Sequence, residues 1–98
     1  MTTDKSKQVE VLRKANEILE RRGWAQRASR AADGRVCLSM AIFLGAALMG
    51  APERVLAATY DEVGKVVGMN IIFWNDSQDC SAERVRGVIE QSIERLAV

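Results

Sequence analysis

From Val36 to Ala51 the chain reads VCLSMAIFLGAALMGA, without one charged residue. Such a run has no solvent face and must be covered on most sides, by protein or by lipid. A membrane span needs about 20 apolar residues; this run is shorter and is interrupted by Ser39, Gly45 and Gly50. The reading is therefore a central helix with the others packed around it. Ala41, Gly45 and Ala46 give it a smooth patch for close backbone approach, either to a helix of the same chain or to a second subunit.

The flanking sequence supplies the covering elements. In residues 5–22, Val11, Leu12, Ala15, Ile18 and Leu19 form one helical stripe. Glu10/Lys14 and Glu17/Arg21 stand on the other face, with the acid four residues before the base. Gly23 is a helix stop, and Trp24 is placed to fold back over the last turn. Residues 25–35, AQRASRAADGR, read as a polar surface loop ending in the Asp33-Gly34 turn.

Pro52 suits the first position of the next helix, whose stripe is Leu56, Tyr60, Val63 and Val67. Asp61/Lys65 form its exposed pair, Gly64 weakens it, and Gly68 ends it. MNIIF, residues 69–73, reads as a turn of helix capped by Asn70 or as irregular extended chain. The last helix spans 82–97, with Val85, Val88, Ile89, Ile93 and Leu96 inward. Ser81 is its expected N-cap and Asp79 a competing one. Arg84 stands where a full capping box needs Glu or Gln. The expectation is an all-α fold: a compact bundle of about four helices in a single domain, 1–98, with a flexible terminus at 1–4.

Composition excludes several chemistries. There is no histidine, so the commonest general base and the Ser-His and Cys-His nucleophile pairs are missing. Two cysteines, Cys37 and Cys80, cannot fill a structural zinc site within one chain. No metal and no cofactor are expected. The formal charge is only +1, and Arg21, Arg22, Arg27, Arg30 and Arg35 lack the aromatic ladder or helix-turn-helix spacing of nucleic-acid readers. The polar start, MTTDKSKQVEV, has no apolar leader segment, which points to a reducing cytoplasm with both thiols free.

Trp74-Asn75-Asp76 is the segment richest in chemistry. In a structural reading Trp74 buries its ring, while Asn75 and Asp76 fix the turn before the last helix through backbone groups. In a functional reading Asn75 and Asp76 line a pocket floored by Trp74, facing Asp33 or Cys37. Cys37 at a helix N-terminus would have the lowered thiol pKa of a nucleophile; a buried inert thiol is the alternative.

The order Trp24, Asp33-Gly34-Arg35, Cys37 with Ala41-Ile42, Trp74-Asn75-Asp76, then Ser81 with Val85 resembles a family of short proteins from actinobacteria and their phages. The resemblance covers roughly residues 10 to 97 and carries no assigned activity. Met40 departs from it where Gly is usual, and Cys80 where Arg is usual. It implies a phage or prophage origin and links Asp33, Cys37 and Asp76 around the N-terminus of the central helix. The expectation is that Asp76 or Asp33 satisfies the free N–H groups there and pins the last helix to the central one. The functional expectation is a small non-enzymatic module binding a protein partner or itself, as a homodimer. The alternative is a small-ligand site or Cys-dependent enzyme around Cys37 and Asp76.

Overall fold

A computed structural model describes residues 3–98. Five helices follow one another: α1 (Asp4–Arg22), α2 (Leu38–Leu48), α3 (Glu53–Val67), α4 (Ile71–Asn75) and α5 (Ala82–Ala97). The fold is all-α. Among the described residues, extended pairing is limited to two isolated bridges, Trp24 with Val36 and Arg30 with Val36.

Thr3 caps α1 by accepting the Ser6 N–H at 3.0 Å, and Asp4 opens the helix. Of the terminus expected to be flexible over 1–4, Thr3 and Asp4 form the capped start of α1, and Met1 and Thr2 lie outside the described residues. The predicted stripe, Val11 to Leu19, is buried against α2, α3 and α5. Gly23 ends the helix as expected. Its φ of 87° suits glycine, and its N–H returns to Leu19 O at 2.8 Å. On the outer face Glu17 pairs with Arg21, as predicted, and also with Lys14. Glu10 takes Lys7 instead of Lys14.

The apolar run forms α2, packed on α1, α3 and α4. Its smooth patch is used within the chain. A Cβ on Gly45 would stand 2.8 Å from Val11 O and 3.2 Å from Ala15 N, so α1 crosses α2 backbone to backbone. Phe43 and Leu48 face outward. No helix is long and apolar enough to cross a membrane, among the described residues.

The segment between α1 and α2 is more ordered than a surface loop. Val36 lies between two stretches of it: Ala25 N–H donates to Val36 O, Val36 N–H to Gly23 O, and Cys37 N–H to Ser29 O. Ala25 and Val36 are buried as a result, while Arg27 to Arg30 stay exposed.

Pro52 occupies the N-cap position of α3, one residue before the position expected. The deep stripe of α3 is Val55, Thr59 and Val63; the predicted Leu56, Tyr60 and Val67 are only half-buried. Thr59 tolerates full burial because its hydroxyl donates to Val55 O at 2.7 Å. Gly64 does not break the helix, which runs on to Gly68 in the left-handed conformation. The short helix α4 is capped by the Asn70 side chain, which accepts from Ile72 and Phe73 N–H. Ser81 caps α5 by accepting from Arg84 N–H at 3.2 Å. Asp79 is not a cap; its carbonyl accepts from the Arg84 guanidinium.

Candidate functional site

Asn75, at the end of α4, is 1 % exposed. Its Oδ1 accepts the Trp24 indole N–H at 2.7 Å and the Leu38 backbone N–H at 3.0 Å. Its Nδ2 donates to Ala25 O and to Asp76 Oδ1, both at 3.1 Å. Every donor and acceptor site of the amide is thus used. Because Leu38 is the first residue of α2, the amide oxygen satisfies one of the free N–H groups at that helix's positive end. This is the role expected of Asp76 or Asp33, and it belongs to Asn75. The amide is suited to it because the same side chain must also donate to the Ala25 carbonyl, which a carboxylate repels.

Asp76 ties down the neighbouring loop. Its Oδ1 accepts the Arg27 N–H at 2.7 Å, where Arg27 has a φ of 60°. That backbone bond, then the Asn75 amide, holds its carboxyl below the ordinary 3.8. Gln26, which the sequence did not single out, adds bonds to Asn75 O at 3.1 Å and Ser77 O at 2.8 Å. The segment before α2 and the end of α4 are thereby stitched together. The last helix is not pinned to α2 by this cluster.

Cys37 caps α2, its Sγ accepting from Met40 N–H at 3.4 Å and lying 3.2 Å from Ser39 Oγ. It lines a cavity of about 200 Å³ with Arg27, Ala28, Ser29, Ser39, Ile72, Asn75 and Asp76. Cys37 and Asp76 thus line one cavity, though their hydrogen bonds go to other residues. Asp33 does not join them; it is exposed and pairs with Arg35 Nε at 2.9 Å inside its own turn, where Gly34 takes a φ of 93°. The Arg35 side chain and then its backbone N–H hold the Asp33 carboxyl below its usual value. Trp74 does not floor the cavity. It is half-buried and lines a different depression, with Val66, Val67, Arg84, Gly87, Val88 and Gln91. Ser81 serves α5 alone. Cys80 is half-buried, and burial pushes its thiol up. Among the described residues no three His, Cys, Asp or Glu side chains gather as metal ligands.

A larger groove of about 740 Å³ adjoins this cavity through Ser39 and Ile72. Tyr60, Asp61, Gly64 and Lys65 of α3 form one wall, and Met69 to Ile72 the other. Tyr60 donates to Ser39 O at 3.1 Å, and burial pushes its phenol up. The sequence identified Asp61/Lys65 as a surface pair, but the acid and base of this helix that find ion-pair partners are Glu62, with Arg95 at 2.6 Å, and Arg54, with Asp4 at 3.2 Å. The groove depends on where α4 turns back, which no local pattern encodes.

No curated protein and no solved structure matches the chain. The model of one family, described as a family of unknown function (DUF6197), matches residues 4–95. The family-level resemblance read in the residues thus holds, and this chain belongs to that family.

Proposed function

We propose that this chain is a small non-enzymatic interaction module, of phage or prophage origin, acting in the cytoplasm on a protein. The observation that carries this reading is the apolar surface around α4. Met69 is 47 % exposed, Ile72 52 % and Phe73 70 %. Three large exposed apolar side chains within five residues, two of them (Met69 and Ile72) lining an open groove, are a common mark of a protein-binding surface. The cluster around Asn75 supports it by positioning α4 rigidly, since its polar groups are spent on one another rather than held for a substrate.

The experiment replaces Phe73 by a photo-reactive phenylalanine analogue in the cells that make the protein. A discrete adduct, lost when Ile72→Glu is added, is the expected result; absence of any adduct refutes the reading. Ile72→Glu alone is expected to change folding stability by no more than about 0.5 kcal/mol, as for other exposed positions.

A second reading rests on the 200 Å³ cavity, which brings Cys37 and Asp76 together. It makes the cavity a small-ligand or Cys-dependent site. Against it, the side-chain partner of Cys37 is a serine hydroxyl and not a base.

A further inference from the structure

Asp61 and Lys65 stand one turn apart on α3, acid first, the spacing that ordinarily gives an ion pair. They form none, with each other or with any other described residue. Both are exposed and both line the 740 Å³ groove. Between them Gly64 leaves a notch: a Cβ there would meet only Met69 O, at 3.9 Å. Across the groove are Met69 and Ile72, and the exposed Phe73 follows Ile72 in the chain. One face thus offers a cation, an anion, a glycine gap and an apolar patch, none of them covered.

We infer that the protein covering this face is a second copy of this chain. The inference rests on the interaction-module reading and names its partner. A two-fold interface sets the same surface against itself, so each residue on it must find its complement on the same surface. An axis crossing α3 midway between Asp61 and Lys65 does this. Asp61 of each protomer then meets Lys65 of the other, and the helices cross antiparallel at the level of the glycine notch. The apolar residues of α4 join the same interface and leave water together, which supplies the attraction. The charge pairs fix the register and orientation. A net charge of +1 leaves little general repulsion between copies. A partner of one charge sign at this face would leave either Asp61 or Lys65 opposed by a like charge; a second copy opposes neither.

Sedimentation velocity over a range of concentrations tests this with Asp61→Lys, Lys65→Asp, their 1:1 mixture and the double variant. The wild type is expected to dimerise. Each single reversal places like charges in contact twice per dimer and is expected to weaken self-association by about tenfold or more. The mixture restores it, because the two chains are complementary, and the double variant restores it within one chain. A wild type that stays monomeric overturns the inference, and so does a dimer indifferent to both reversals. The adduct at position 73 separates the two readings. An adduct with a different protein, from a chain that is monomeric alone, removes the second copy and leaves the interaction module standing. No adduct and no self-association remove both.

Discussion

At the scale of the residue, Asn75 and Asp76 divide the task of bonding the backbone around the end of α4. Asn75 lies inside, with two bonds received and two given. Asn75→Ala leaves the Trp24 and Leu38 N–H groups and the Ala25 carbonyl without their partner. It is expected to lower the unfolding free energy by about 2–4 kcal/mol in urea titrations. Asn75→Asp, at neutral pH, is expected to do no better, because it opposes an acceptor to two acceptors. Asp76 lies at the edge, and Asp76→Ala is expected to cost only about 1 kcal/mol. Its pH dependence has a definite sign. The folded-state carboxyl sits below the ordinary 3.8, so its stabilisation is complete above that value and is lost as pH falls through the lowered one. The slope of stability against pH in the acid range is expected to flatten in Asp76→Ala. The segment itself was legible, since an aromatic, an amide and an acid before a helix form a natural fastening. That Asn75 holds the N-terminus of α2, in place of the expected Asp76 or Asp33, was not. All three are short and accept backbone N–H groups, and only the position of Ala25 O selects the amide.

Helix packing gives two glycines opposite roles. In α2, a methyl group on Gly45 would stand within 2.8 Å of the α1 backbone, which no side-chain rotation can relieve. In α5, a methyl group on Gly87 meets nothing within 4 Å. Alanine is the better helix former by about 1 kcal/mol in both places. Thermal unfolding is expected to show Gly87→Ala stabilised by roughly that amount. Gly45→Ala is expected to be destabilised by about 1–3 kcal/mol, the scale of an overpacked core. Stabilisation by Gly45→Ala as well would mean that α1 and α2 do not cross backbone to backbone at Gly45. The small-residue patch was visible in the sequence, but its partner was not, because a glycine gap fits any backbone that reaches it. The stripe of α3 was misplaced for a related reason. Hydrophobicity favoured Leu56 and Tyr60, whereas the fold buries Thr59, whose hydroxyl finds Val55 O within its own helix.

The whole molecule is compact, with a Cα radius of gyration of 12.3 Å, against about 13 Å for a folded chain of 100 residues. Cys37 borders the main core beside α2, whereas Cys80 lies in the turn before α5. A buried thiol reacts only when the structure opens, and Cys37 adjoins the buried residues Leu38, Ala41 and Ile42 of α2, so its opening is expected to need loss of core packing. Alkylation followed by peptide mass spectrometry is expected to label Cys80 first, faster as alkaline pH forms its thiolate. Cys37 is expected to react at a rate that rises with urea in parallel with global unfolding. If Cys37 reacts first in the native state, the cavity reading gains over the interaction module.

Periodicity determined α1, α3 and α5, and the uncharged run determined α2, because the spacing and clustering of apolar residues are properties of the chain alone. The short helix α4 was open, on the same grounds, to either a helical turn or extended chain. Local sequence also determined the stops at Gly23 and Gly68 and the cap at Ser81, which act within a few residues of themselves. The missing histidine narrowed the chemistry in the same direct way. Only the tertiary structure decided that Asn75 rather than Asp76 meets α2, that Asp33 stays apart, and that Asp61 and Lys65 remain unpaired on one face. Each of these turns on which distant backbone or side chain arrives alongside, and hydrogen bonds and charges act only over the few ångströms that folding brings about.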